Sequence, residues 1–325
     1  MRLPEFDYVE PRSIKEASSL LLDNPKASIL AGGTDLLVNM KHRVEMPSLI
    51  VNIKRISHLD FIEKQNGSIR IGALASLKKV YTNPFIGEKV HALTLAASVV
   101  GSYHHQCMGT IGGNICQQNR CKYFNQSKWW RSSRPLCFKA GGEICYVVNK
   151  KGTCYSSYCG DVAPVLLVLN AKVIVESKTA KREIPLEGVF SGDGKTPLTF
   201  QPGEILREII IPQEAFGGLS TYVKFANRES IDFPIVGMAL WASAECKEVR
   251  VSFTAVDRRP VRAKGVEDFL RGREFNGETL EQAVDLSSKV ARPANTSMYS
   301  PSFKRKILGR LLRTGLQEVA RRAGR

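Results

Sequence analysis

Six of the chain's eight cysteines, Cys116, Cys121, Cys137, Cys145, Cys154 and Cys159, fall within residues 115–160, with Cys107 just before this stretch and Cys246 far downstream. Thiolates are soft metal ligands, and four of them satisfy a tetrahedral zinc ion or a 4Fe–4S cube. Structural disulfides are disfavoured in a reducing compartment, so the clustering points to metal or redox chemistry. No Cys-x-x-Cys pair is present. Spacing alone therefore leaves three readings open: an iron–sulfur site, a zinc site, or inert buried thiols.

A second chemistry resides in two glycine turns. Ala31-Gly32-Gly33-Thr34-Asp35-Leu36 joins an expected strand to an expected helix, where glycine lets backbone N–H groups approach a phosphate and the helix start offers partial positive charge. Thr110-Ile111-Gly112-Gly113-Asn114 repeats the device. One glycine pair is more often a plain turn, but two of them predict a grip on both ends of a pyrophosphate. The pattern is not Gly-x-Gly-x-x-Gly, which points away from a Rossmann nicotinamide site and toward another dinucleotide. His104-His105 beside Cys107 reads as structural rather than as a metal site or proton relay.

The elements that must hold these residues alternate in type. Residues 13–22 have helical periodicity with Ser13 as N-cap. Strands are expected at 27–31, 48–53 and 68–73, the last after a turn at Asn66-Gly67, with a helix at 35–41 between the first two. A helix at 91–100 leads to the second glycine turn. Residues 115–160 lack periodicity, and a loop of that length in a compact domain is functional or disordered. Patterning resumes with a helix at 161–169 and a strand at 171–176. After a boundary near 212–218 come strands at 221–225 and 249–256, and two amphipathic helices at 278–290 and 303–320.

Composition bounds the answer. The chain has 325 residues, 43% hydrophobic and 24% charged, as for a globular protein of two or three domains. The first residues carry no apolar leader, and the apolar run at 162–175 is too short and interrupted to span a bilayer, so a soluble, cytoplasmic protein with no membrane span is expected. The net charge is +16. Its excess collects at 122–134 and 304–325, and reads as a solvated face or a docking surface for an acidic electron carrier. No zinc-finger, RNP or basic-zipper pattern accompanies it, so no nucleic-acid partner is expected. The basic tail reads as an amphipathic surface helix packed on its own domain.

Ala31 to Leu36, Thr110 to Asn114 and Gly160-Asp161-Val162-Ala163-Pro164 resemble, in order, the signature segments of the FAD-binding subunits of the xanthine dehydrogenase family. Gly203-Glu204-Ile205-Leu206, Tyr222-Val223-Lys224 and Asp232 extend the likeness over the whole chain. The resemblance implies an α+β protein. Two N-terminal α/β FAD-binding domains (1–56 and 57–214, the second carrying the 115–160 insertion) would be followed by a C-terminal domain, 215–325, with a small antiparallel sheet and helices. It further implies that Ile29, Leu30, Ala31, Gly32, Gly33, Thr34, Asp35 and Leu36 wrap the FAD pyrophosphate. Val100 would join the site, and Thr110, Ile111, Gly112, Gly113 and Asn114 would close over it. Asp161 would take the adenosine part, and Leu206 and Lys224 would lie near the flavin.

Most such subunits pass from the Gly-Gly-Asn turn to the Asp turn in a short hop. The 115–160 insertion, opening Cys121-Lys122-Tyr123-Phe124, resembles that of the 4-hydroxybenzoyl-CoA reductase β subunit, which holds a 4Fe–4S cluster. On this likeness Cys121, Cys137, Cys145 and Cys154 are the ligands, and Cys107, Cys116, Cys159 and Cys246 pack. Lys122, Lys128, Arg131 and Arg134 would offset cluster charge, and Trp129 and Trp130 would shield it or plug the loop. The implied function is an electron relay without catalytic residues of its own. Its partners would be a molybdenum-cofactor large subunit and a 2Fe–2S small subunit, in a dimer of heterotrimers, with an acidic ferredoxin as donor. The alternatives are a medium subunit of a molybdenum hydroxylase, and a zinc-stabilised basic binding protein.

Overall fold

In the computed structural model, which describes residues 2–324, the chain is α+β and builds three main sheets. Met1 and Arg325, the outer ends of the expected first and last domains, lie outside the described residues. The first sheet is parallel, with Leu49–Asn52 between Asp7–Val9 and Ala27–Leu30. Its crossover helix, Ile14–Asp23, is capped by Ser13, whose side chain accepts from the Glu16 amide at 3.1 Å. That bond satisfies one of the four amides a helix start leaves free.

The second sheet is antiparallel and five-stranded, in the order Ile62–Gln65, Ser68–Gly72, Ile205–Ile211, Lys172–Glu176, Lys181–Pro185. Asn66 and Gly67 both take positive φ (50° and 77°) in the hairpin between the first two, as a tight primed turn demands. The central strand, Ile205–Ile211, arrives from far along the chain. It shares one core with the helices His91–Ser98 and Val162–Val168, the latter buried on every face.

The third sheet runs Leu219–Phe225, Val236–Ala242, Val249–Thr254, Val261–Arg262, all antiparallel. The helices Lys264–Leu270, Gly277–Ser287 and Pro301–Arg322 cover it. The last buries Ile307, Leu308, Leu311, Leu312, Leu316 and Val319, so the basic tail is an amphipathic helix whose apolar face belongs to its own sheet.

Residues 115–160 hold little regular structure: a five-residue helix, Lys128–Ser132, and a short ladder of Ile144–Cys145 with Lys150–Lys151. The loop is ordered by cross-links to distant chain instead. The Lys122 amide donates to the Thr296 carbonyl at 2.8 Å, and the Tyr158 amide to that of Asp257 at 3.0 Å. Ser157 and Thr296 share a hydroxyl–hydroxyl bond of 2.8 Å.

Candidate functional site

A cavity of ≈ 680 Å³ opens where the two glycine turns meet the sheets. That is within the range of cofactor sites. Among the residues expected for the dinucleotide, Ile29, Ala31, Gly32, Gly33, Thr34, Asp35, Leu36, Val100, Thr110, Gly112, Gly113, Asn114, Asp161 and Leu206 line it. Three do not. Leu30 packs with Met40 and Ile50, Ile111 is buried in the central core, and Lys224 stands behind the wall. Lys224 Nζ pairs with Asp161 at 3.2 Å and donates to the Val99 carbonyl at 2.8 Å. It therefore orients Asp161 rather than facing the cavity.

The first turn has the character its sequence predicts. Among the described residues, the amides of Gly32, Gly33, Thr34 and Asp35 meet no acceptor in the protein, so four donors are available at one wall. Gly33 holds φ +74°, a conformation that favours glycine. Gly32 serves a different end. A Cβ there would sit 2.8 Å from Gly109 Cα and still closer to the Met108 carbonyl oxygen, so the glycine lets the two turns touch.

The second turn departs from expectation. Its amides are already committed: Ile111 to the Ala75 carbonyl (2.9 Å), Gly112 to Ala73 (3.0 Å), Gly113 to Thr110 Oγ1 (3.1 Å) and Asn114 to the Thr110 carbonyl (2.9 Å). It shapes the wall and braces the first turn but is no second set of free donors. Asn114 Oδ1 accepts from the Val162 amide at 3.2 Å, locking the turn to the helix that follows Asp161. Asp161 itself accepts from the Tyr222 hydroxyl at 2.8 Å. Burial raises its pKa, against the opposing pull of Lys224 and Tyr222.

Sequence reasoning missed several lining residues, among them His105, Gln118, Arg120, Ile231 and Phe233. His105 is held by Ser102, Oγ to Nδ1 2.8 Å, and forms no metal site. Ile231, a β-branched residue at φ +63°, is an outlier that a strained turn could have signalled only through coordinates. Arg120 gave no signal, because its partners Asp35 and Asn39 lie far back in the chain.

Next to this cavity lies a second, small one. Cys121, Cys137, Cys145 and Cys154, the four thiols singled out as ligands, all line it, with Tyr123, Phe124, Lys139 and Ser156. The space between them is ≈ 10 Å³, about one water-sized sphere, so the sulfurs must swing outward to admit an inorganic core. All eight cysteines are free thiols. The donor chemistry fits a cluster. The Ser156 amide lies 3.5 Å from the Cys154 sulfur. Such N–H···S bonds are a means by which proteins tune iron–sulfur centres. Burial pushes the Cys121 thiol up to about 11, a cost that bound cations would remove by taking the thiolate.

Among the described residues no three His, Cys, Asp or Glu side chains converge on a point suited to one ion. A single tetrahedral zinc would draw its sulfurs to about 3.8 Å of one another, given Zn–S bonds of about 2.3 Å. A cube assigns each thiolate its own iron and tolerates a wider ring.

Lys139 is the cation at this site. Its amine donates to Gln118 Oε1 (3.3 Å) and the Asn119 carbonyl (3.2 Å) and lies over the Phe124 ring at 4.9 Å. Burial lowers its pKa, against the opposing pull of Cys154 and Cys121. The residues expected to balance cluster charge do otherwise in part: Arg131 ties the loop to the Arg43 carbonyl (2.6 Å). Trp129 is 82% exposed and shields nothing, while Trp130 stacks under the Arg134 guanidinium at 3.7 Å. The two cavities are linked through the chain: Cys116, Gln117, Gln118 and Arg120 line the large one, Cys121 begins the small one, and Lys139 of the small one donates to Gln118 of the large one.

Comparison with known proteins gives the same outline. Residues 4–214 match the family model described as FAD binding domain in molybdopterin dehydrogenase, and 221–319 the CO dehydrogenase flavoprotein C-terminal domain. The chain is 28% identical over 292 residues to the nicotinate dehydrogenase FAD-subunit of Eubacterium barkeri, covering 87% of this chain and 86% of the relative. It is 25% identical to the glyceraldehyde dehydrogenase medium chain of Sulfolobus acidocaldarius, covering 98% and 99%. The solved carbon monoxide dehydrogenase of Hydrogenophaga pseudoflava shares the fold, with a TM-score of 0.80 at 24% identity over 99% of each chain. None of these three is a 4-hydroxybenzoyl-CoA reductase. Among the described residues no helix is long and apolar enough to cross a membrane.

Proposed function

Since the chain belongs to the family of FAD-binding subunits of molybdopterin dehydrogenases, a family of oxidoreductase subunits, we propose that it is an electron relay holding FAD in the large cavity and a 4Fe–4S cluster in the small one. The observation that carries the reading is the link between the cavities: Arg120, which lines the large one, is followed directly by Cys121, the first thiol of the small one, and Lys139 of the small one donates to Gln118 of the large one at 3.3 Å.

Held by these residues, FAD would supply one- or two-electron chemistry and a cluster one-electron chemistry, which the polypeptide itself lacks. The chain's own residues supply binding and surroundings. The amides of Gly32 to Asp35 bind diphosphate, and Asp161, fixed by Tyr222 and Lys224, accepts from the adenosine side. Leu206, Val100 and Ile231 form an apolar wall that excludes water. Around the thiols, Lys139 neutralises developing thiolate charge within the loop.

In this reading the chain is a medium subunit, working in the cytoplasm beside a molybdenum-cofactor large subunit and a 2Fe–2S small subunit, in a dimer of heterotrimers. The four-thiol insertion favours a 4-hydroxybenzoyl-CoA reductase-like complex, fed by an acidic ferredoxin, over a hydroxylase whose medium subunit carries flavin alone. The substrate would lie on the large subunit.

The test is composition. The full chain, purified under nitrogen, is expected to contain one FAD and about four iron and four sulfide, with an EPR signal after reduction. Flavin without iron leaves the hydroxylase-type medium subunit standing and sinks the cluster. Iron without flavin sinks the assignment of the large cavity.

A further inference from the structure

The dinucleotide reading leaves a charge problem that the family motifs do not solve. A diphosphate brings two negative charges, yet the cavity wall is acidic, with Asp35, Glu45, Asp161, Glu204 and Asp232. Three of these have cations behind them: Asp161 has Lys224 (3.2 Å), Glu204 has Arg182 (2.6 Å) and Asp232 has Arg228 (2.6 Å). Among the described residues that line the cavity, Arg120 is the only lysine or arginine.

Its setting is specific. Arg120 Nη2 pairs with Asp35, Nη1 reaches Asn39 Oδ1 at 3.3 Å, and the guanidinium lies over the Phe233 ring, 4.5 Å from its centroid. Those contacts fix the fork at the wall beside the free amides of the first glycine turn. Not all of its five N–H donors are used. Nε is buried and meets no acceptor in the protein. A buried N–H without a partner costs about as much as a hydrogen bond gains, so such a donor calls for an acceptor from outside the chain.

We propose that Arg120 is the diphosphate-binding cation of this subunit, oriented by Asp35 and Asn39 and donating to the same phosphate oxygens that the Gly32 to Asp35 amides receive. The assignment rests on the flavin reading above and adds a residue that none of the glycine or aspartate motifs contains. Guanidinium suits the role because its charge persists at neutral pH, even with burial lowering its pKa to about 10, and its planar fork matches phosphate.

The experiment uses the full chain stripped of flavin, titrated with FAD, ADP and adenosine. Arg120→Met removes both charge and donors, and Arg120→Gln keeps polar contact with Asp35 and Asn39 without the charge. Both variants are expected to weaken FAD and ADP about 10- to 100-fold, the range of one charge-assisted hydrogen bond, while adenosine affinity stays as in the unmodified chain. Adenosine lacks the diphosphate, so a merely structural arginine would weaken adenosine and ADP together. Parallel loss, or ADP affinity unchanged in either folded variant, overturns the proposal. If the unmodified chain itself takes up no FAD, the flavin reading fails first, and that outcome is visible before any variant is made.

Discussion

Gly32→Ala perturbs the contact that brings the two glycine turns together. The added methyl carbon would sit 2.8 Å from Gly109 Cα, and closer to the Met108 carbonyl oxygen. Carbon atoms rest about 3.5–4.0 Å apart, so the turns must separate by about 1 Å. Both obstacles are backbone atoms, which cannot rotate away as a side-chain end can. Overpacking of this kind costs about 1–3 kcal/mol, which for 325 residues lowers Tm by roughly 1.5–4.5 °C. The same movement pulls free amides off a bound phosphate. Two bonds lengthened by about 1 Å, each worth about 0.5–1.5 kcal/mol, weaken FAD about tenfold or more. The control is Gly33→Ala. Its Cβ meets only the side-chain ends of Leu30 (3.0 Å) and Leu37 (3.1 Å), and its cost comes from φ +74°, about 1–2 kcal/mol. Circular dichroism melts of the full chain and fluorescence titration with FAD read both effects. A Gly32→Ala chain that melts and binds like the unmodified one would refute the packing described here.

Three further outcomes are expected. Cys137→Ser should remove iron and sulfide while leaving FAD bound, because Cys137 lines the small cavity and not the large one; full iron content by metal analysis would show the ligand set to be wrong. Cys159 is buried, which pushes its thiol from 9.0 up to about 11 against the pull of Lys304 and Arg120. A raised folded value means the neutral thiol's contribution is intact below pH 9 and drains away as pH climbs through 11. Relative to Cys159→Ala, the unmodified chain should therefore lose about 2–3 kcal/mol across that window, read by urea unfolding at pH 8.5 and 11; a constant difference contradicts the burial. Lys139→Met should lower the reduction potential of the loaded cluster, since a nearby cation favours the electron-rich form, and an unchanged or higher midpoint in a redox titration would count against its role.

Local grammar made much of this readable. Ser13 caps its helix, Asn66-Gly67 turns its hairpin, and the first glycine turn carries its free amides because each effect acts within a few residues. The absence of periodicity from 115 to 160 marked the loop correctly, and the four chosen thiols do gather at one cavity. What escaped is non-local. The strand Ile205–Ile211 owes its central place to partners at Ser68–Gly72 and Lys172–Glu176, and Val236–Ala242, buried at every residue, shows no alternation to read. The second glycine turn looked like the first, but its amides are spent on Ala73, Ala75 and Thr110, acceptors that only the fold brings near. Lys224, expected beside the flavin, stands behind the wall, and Arg120, of which nothing was expected, lines it, for a similar reason. Charge alone does not tell which cation stands at a wall and which behind it.

The ties from the cysteine loop to Asn295, Thr296 and Asp257 have a consequence for biogenesis. The thiols emerge from the ribosome well before the segments that hold their loop in place. Until the C-terminal sheet and its covering helices are made, those sulfurs hang on an untethered stretch, exposed to oxygen and stray metals. On the cluster reading proposed above, insertion of an inorganic core would follow docking of the last helix, and the reduced, unfinished form would need protection until then.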